Sequence, residues 1–271
     1  MVAGIAKYRN TDEAFPLDKK ILNKIAMRSF LAAASENAES GNSTGWTWAI
    51  APGLAKIHEN EDDLALAMGH HLEFVSCISP LSTLAMGIVL ALEQQKADPQ
   101  TIRGVRTAAS LAAEGVGNAL IRWILIPMLL VCFGTMIESG AVAGVILFAA
   151  VLLVCTVALR FWALRYGYSR GTRAAESLIR NRDSLERAAR IAGVCMIGAA
   201  IVLLGSNSDF NVWLQGVNVS YIGTAIPGLC CALVTWLAYV LMAKKNWPVW
   251  RCVLLVIIIG ILMAVLGGVT M

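Results

Sequence analysis

The chain passes from mixed N-terminal sequence into long uninterrupted apolar runs. Five of them, 119–138, 140–160, 189–205, 221–243 and 250–268, reach the length that a helix needs to cross ~30 Å of hydrocarbon. A sixth run, 75–92 (VSCISPLSTLAMGIVLAL), is broken by Pro80 and carries the hydroxyls of Ser76, Ser79, Ser82 and Thr83. Lipid cannot satisfy those groups, so protein or water has to surround this stretch. Over residues 17–34, Leu17, Ile21, Leu22, Ile25 and Phe30 share one helical face, while Lys19, Lys20, Lys24 and Arg28 hold the other. That pattern predicts an amphipathic helix on the cytoplasmic membrane surface.

These elements predict an all-α polytopic membrane protein with an interfacial helix, re-entrant hairpin elements and about five transmembrane helices. Residues 1–44 form the cytoplasmic N-terminal region. Residues 45–118 hold the re-entrant membrane core. Residues 119–271 carry the spans, with an Arg-rich cytoplasmic connection at 160–190.

Composition supports lipid as the solvent. Of 271 residues, 58% are apolar and only 15% are charged, against about 25% charged in soluble domains. The mean hydropathy is +0.67. A disordered chain, a coiled coil and a collagen-like chain are excluded. The net charge of +4 matters less than where the basic residues stand. They crowd the first 44 residues, the segment to Arg106, the connection 160–190 and the connection 244–251. The turn 138–140, the loop 206–220 and the tail after Gly267 have none. This alternation puts the N-terminus in the cytoplasm and the C-terminus outside. Basic residues flank 75–92 on both sides, so both of its ends face the cytoplasm. A re-entrant hairpin satisfies this, paired with 45–55 or with 107–118. Broken elements of that kind are where transporters place substrate.

Little in the chain suggests covalent chemistry. The seven cysteines lie in apolar stretches without C-x-x-C spacing and read as small apolar residues. His58, His70 and His71 stand too far from those thiols for a zinc site, and the pair His70-His71 reads as solvated or capping. Gly115-Val116-Gly117 is followed by Leu120 where a dinucleotide fingerprint needs its third glycine, so that fold is excluded. Close helix packing or backbone approach to a ligand explains the glycines equally well. Glu73 and Glu93 flank the 75–92 run, and Glu114 precedes the span at 119. Carboxylates beside membrane segments are costly unless paired or wet, which makes them site candidates. Trp46, Trp48 and Trp123 can face sugar C–H surfaces, although an interfacial belt accounts for each of them. In the connection 160–190, Asp183–Arg187 and Glu186–Arg190 have ion-pair spacing on a solvated helix.

Five short motifs carry a family resemblance. They are Met27-Arg28-Ser29-Phe30, His71-Leu72-Glu73-Phe74, Leu90-Ala91-Leu92-Glu93-Gln94-Gln95, Gly115-Val116-Gly117-Asn118, and Arg165-Tyr166-Gly167-Tyr168-Ser169-Arg170-Gly171. In this order and spacing the chain resembles the IID component of the mannose–fructose–sorbose family of bacterial sugar phosphotransferase systems. The resemblance implies a permease subunit in the bacterial inner membrane, paired with a IIC subunit, commonly as a trimer of heterodimers. It implies inward movement of a hexose or hexose derivative, which a cytoplasmic IIB protein, charged by IIA, phosphorylates on arrival. It implies no catalytic residue, cofactor, metal or nucleic-acid partner in this chain.

The sequence departs from the family pattern at several positions. Ser76, Cys77, Ile78 and Ser79 stand where the family has Asn-Thr-x-Pro, with Pro80 one residue late. Asn118 replaces an aspartate, and Glu114 is an extra carboxylate. Ser35-Glu36-Asn37-Ala38-Glu39 replaces an aromatic Asn-x-Glu-Arg-like stretch. These changes suit a divergent subfamily handling another sugar or a sugar–amine derivative. The substrate-binding candidates are therefore Glu36, Glu73, Ser76, Glu93, Glu114, Gly115, Gly117 and Asn118.

Three rivals compete with the permease reading. A secondary transporter needs ionisable residues inside its spans, and 140–160, 189–205 and 221–243 offer almost none. A membrane enzyme needs a nucleophile, base or metal cluster of recognisable spacing. A scaffold subunit that never touches the sugar fits the altered loop residues.

Overall fold

The computed structural model describes residues 8–205 and single positions between 237 and 258. Eight α-helices run through 19–205: α1 (Lys19–Arg28), α2 (Ser43–Ile57), α3 (Glu61–His71), α4 (Ser82–Gln94), α5 (Pro99–Asn118), α6 (Ile126–Glu138), α7 (Val142–Arg170) and α8 (Thr172–Gly205). A 3₁₀ segment, Ser29–Ser35, follows α1, and a π-helical segment, Ala119–Leu125, joins α5 to α6. Among the described residues there is no β-strand, only isolated bridges pairing Gly41 with Asn37 and Val75. The chain divides into two compact units, Met1–Met128 with Ile146–Gly193, and Leu129–Val145 with Val194–Met271.

Local chemistry sets the helix starts. Asn60 caps α3 by accepting from the Asp62 amide, and Glu61, Asp62 and Asp63 fill the first turn, where the helix dipole favours negative charge. Asp98 caps α5 in the same way, with Pro99 at the first helical position. In α2, Pro52 leaves the Trp48 carbonyl without its helical donor. The Arg28 guanidinium supplies one instead, at 3.1 Å.

The first unit is built around α4. Ser82 to Glu93 are all buried, and so are Val75, Cys77, Ser79 and Leu81 ahead of them, while Pro80 is half-buried and Ser76 exposed. A 13-residue apolar helix of this kind is too short to span and serves as a core helix. It packs against α5 and α2. Its crossing with α7 depends on two facing glycines. A Cβ on Gly87 would overlap the Leu164 carbonyl, and one on Gly167 would overlap the Leu84 carbonyl. The apolar face of α1 also turns inward. Leu22, Ile25 and Ala26 are buried, and Leu17 and Ile25 reach Gly53 of α2. Among the apolar residues between 27 and 31, Met27 and Leu31 remain well exposed.

Among the described residues, two helices are long and apolar enough to cross a membrane, Pro99–Ile137 and Val142–Arg170. The first has 39 residues, about 58 Å at the α-helical rise. A crossing of about 30 Å needs only part of that length. The apolar run 189–205 forms the second half of α8. Beyond single positions, the runs 221–243 and 250–268 and the loop 206–220 lie outside the described residues. The connection 160–190 is helical apart from a break at Gly171, which takes a positive φ of 50° between α7 and α8. In the second unit, α6 and α7 meet through the turn at Gly140, φ 76°, and Gly144 lies against Met136 and Ile137.

Candidate functional site

The loop 75–81 ahead of α4 is held by polar groups from three elements. Asn42, just before α2, binds it twice through its side chain, donating to the Cys77 carbonyl at 2.9 Å and accepting from the Cys77 amide at 3.1 Å. Glu114 of α5 takes the next turn. Its Oε2 accepts the amides of Ile78 at 2.7 Å and Ser79 at 2.8 Å, and Asn118 Nδ2 donates to its Oε1 at 2.6 Å. Ser79 Oγ donates to the Ala113 carbonyl at 2.9 Å, and a Cβ on Gly117 would run into that Ser79 side chain. From α7, Arg160 donates to the carbonyl and hydroxyl of Ser29, both at 3.2 Å, and reaches the Ile78 carbonyl at 3.5 Å. Thr83 Oγ1 donates to the Arg160 carbonyl at 2.9 Å. The loop is thus preorganised, with Ser76 exposed beside it and Glu114 and Asn118 half-buried. These groups can exchange hydrogen bonds with hydroxyl or amine ligands. The π-helical turn begins directly after Asn118, and such turns mark functional sites in many helices.

Glu114 is therefore paired, but with no arginine among its hydrogen-bond partners. Backbone amides and Asn118 hold it instead. Gly115 faces away from the loop, toward α8, where a Cβ would overlap the Glu186 carboxylate. Glu186 is fixed there by Arg182 at 2.9 Å and Arg190 at 3.1 Å, so it pairs on both sides along its helix.

Glu93 sits elsewhere, in a fully buried cluster. Its Oε2 accepts from Tyr8 Oη at 2.8 Å and pairs with His58 Nε2 at 2.9 Å. Its Oε1 pairs with His71 Nε2 at 2.9 Å and His70 Nε2 at 3.3 Å. Lys96 Nζ donates to His58 Nδ1 at 2.8 Å. This leaves the His58 proton on Nε2, pointing at the carboxylate. Burial works to raise the Glu93 carboxyl, but the hydrogen bonds from the three histidines outweigh it and hold the carboxyl well below its ordinary range. Burial pushes the His71 imidazole down to about 4, against the opposing pull of Glu93. The same burial, reinforced by Glu93, raises the Tyr8 hydroxyl. The cluster is an ionised carboxylate hydrogen-bonded by imidazoles and a phenol, with Lys96 as the neighbouring cation. His70 and His71 are consequently neither solvated nor caps. The end of α3 turns both rings inward onto a carboxylate that lies 22 residues further along the chain. Adjacent histidines in sequence carry no signal of that partner.

His70, His71 and Glu93 do present three metal-type donors within 4.8 Å of one another. A metal-bound imidazole ordinarily donates its second ring N–H to an acceptor. Here Nδ1 of both His70 and His71 is buried without a protein partner. The set fits hydrogen-bond donors to Glu93 better than metal ligands.

The other candidates separate further. Glu73 is half-exposed and pairs with Arg103 at 2.8 Å and Arg106 at 3.5 Å. Glu36 is exposed at the end of the 3₁₀ segment. Trp46 is fully buried in α2 rather than in an interfacial belt, whereas Trp48 and Trp123 are exposed, and Arg28 stacks on Trp48. Cys77, Cys132, Cys155 and Cys195 are free thiols. The structure thus gathers Ser76, Glu114, Gly117 and Asn118 around one loop and disperses Glu36, Glu73, Glu93 and Gly115. Sequence reasoning missed Asn42 and Arg160, whose role depends on long-range contacts.

Helices of this length and apolarity are consistent with a membrane protein. The family profile of the phosphotransferase system mannose/fructose/sorbose family IID component matches residues 16–269, and the chain belongs to that family. IID components are transport subunits of the phosphotransferase system. Curated relatives include the mannose-specific EIID component of Escherichia coli strain K12, 25% identical over 86% of this chain and 89% of the relative. The fructose permease IID component of Bacillus subtilis strain 168 is 25% identical over 68% of this chain and 70% of its own. The sorbose-specific EIID component of Klebsiella pneumoniae is 24% identical over 83% and 88%. Two solved structures share the fold. One, described as a membrane protein, has a TM-score of 0.69 at 22% identity over 94% of this chain and 98% of its own. The other, the mannose transporter ManYZ with microcin E492, has a TM-score of 0.54 at 23% identity over 94% and 97%.

Proposed function

We propose that this chain is the IID half of an inner-membrane permease that imports a hexose or hexose derivative together with a IIC subunit. A cytoplasmic IIB protein phosphorylates the sugar on arrival. The N-terminus and the Arg-rich connection face the cytoplasm, and the loop ahead of α4 enters the membrane as a re-entrant tip. The observation that carries the reading is the clamp on Ile78 and Ser79 by Glu114 and Asn118. It fixes hydroxyl-binding groups at the positions where this sequence departs from the family pattern. Three hydrogen bonds leave Glu114 one lone pair, on Oε1, for a sugar hydroxyl or an amine, and Ser76 of the same loop is exposed.

A charge-assisted hydrogen bond contributes roughly 1.5–3 kcal/mol, so its loss weakens substrate binding about tenfold or more. Glu114→Gln should therefore impair sugar-dependent uptake while the membrane complex still assembles. Unchanged uptake, or a complex that falls apart, would overturn the assignment. A scaffold reading has one observation in its favour. Glu73 and Glu93, both sugar candidates, are already engaged by internal partners. Sugar-dependent thermal stabilisation separates the two readings. The permease reading requires that Glu114→Gln reduce it, whereas a scaffold leaves it unchanged.

A further inference from the structure

Arg106 is a fully buried cation with too few partners. Its side chain is 2% exposed. One Nη donates to the His70 carbonyl, and the other reaches Glu73 only at 3.5 Å. Its Nε–H has no protein acceptor, and neither does that of Arg103 one turn earlier in α5. Glu73 favours Arg103, at 2.8 Å, and is itself 44% exposed. Two guanidiniums therefore share one carboxylate that is open to its surroundings on its free side. The local sum is one surplus positive charge. Buried guanidinium donors are costly when unmade, and a planar guanidinium fork suits the paired oxygens of a phosphate or carboxylate.

We propose that Arg103 and Arg106 form an oxyanion site for a soluble phosphate monoester, and that Glu73 occupies it as a displaceable internal stand-in. With Glu73 swung out, two positive charges face the ligand. A phosphate monoester carries about −1.5 to −2 at neutral pH, whereas a second carboxylate would carry only one charge. The basic-residue distribution places the start of α5 on the cytoplasmic side, where such esters occur. The site is separate from the loop clamp, and its test uses no sugar, so its failure leaves the uptake test of Glu114 standing.

The test is binding of inorganic phosphate to the full chain, in the membrane complex in which it is purified, in phosphatidylcholine nanodiscs at low salt. Saturable binding is expected. Arg103→Gln should weaken it by about tenfold or more, as loss of one charge-assisted hydrogen bond requires. Arg103 is the chosen variant because Arg106 is buried and its replacement endangers folding. Glu73→Gln should tighten binding several-fold by removing the competing anion. Weaker or unchanged binding in Glu73→Gln overturns the inference, as does no saturable binding in both wild type and Glu73→Gln. Discs containing phosphatidic acid identify the source. Undiminished affinity for phosphate upholds the soluble ligand, and its loss reassigns the site to lipid headgroups and overturns that choice.

Discussion

His58 Nε2 lies 2.9 Å from Glu93 Oε2, both side chains completely removed from solvent. Because Lys96 occupies the other ring nitrogen, this imidazole donates to the carboxylate while neutral. With His70, His71 and Tyr8 it joins the N-terminal arm, the end of α2, the end of α3 and the end of α4 at one anion.

Removing that anion should loosen all four segments together. Glu93→Gln strips the charge from four hydrogen bonds, and each bond to a charged group contributes about 1.5–3 kcal/mol. A large fall in thermal stability is expected, with new protease cleavage near Tyr8. Tyr8→Phe removes only one of the bonds to the carboxylate and should cost about 1.5–3 kcal/mol, less than loss of the carboxylate itself. Equal effects of the two substitutions would show that the carboxylate is not the hub.

The same cluster sets a pH dependence. His71 titrates near 4 in the folded chain and near 6.5 when unfolded. Between those values the unfolded state binds the extra proton, so stability is complete above about 6.5 and falls as pH drops toward 4. Glu93 acts in the same direction at lower pH. Its folded carboxyl lies well below the unfolded value, so its contribution is lost as pH falls through the folded value. Thermal melts from pH 7 to 4 should show a steady decline, with a shallower slope in His71→Gln.

The crossing of α4 and α7 offers a packing test. Gly167→Val pushes a branched side chain onto the Leu84 carbonyl, and overpacking of this kind costs about 1–3 kcal/mol or more. Membrane-inserted yield should drop sharply. Gly104→Ala, at a position with nothing within 4 Å of the added carbon, should leave yield unchanged.

Orientation is open to labelling. With the native cysteines replaced, Ser184→Cys on the exposed side of α8 should react only after the membrane is permeabilised. Reaction with an impermeant reagent in intact cells would invert the topology.

The amino-acid sequence alone determined the solvent, the helical class, several boundaries and the family. Apolar run length and basic-residue placement are local quantities, so the runs 119–138 and 140–160 and the turn between them could be read without coordinates. The motifs around His71, Glu93 and Gly117 identified a IID component in the same way. What those residues touch was decided by tertiary structure. Three carboxylates of one chemical type received three different partners. Glu114 met backbone amides, Glu93 met three histidines and a tyrosine, and Glu73 met two arginines. Each partner stands 20 or more residues away, and periodicity within a helix carries no information over that distance. Burial then set Glu93 apart, because a carboxylate removed from water takes its properties from the donors that replace the water, whereas Glu73 stays half-exposed.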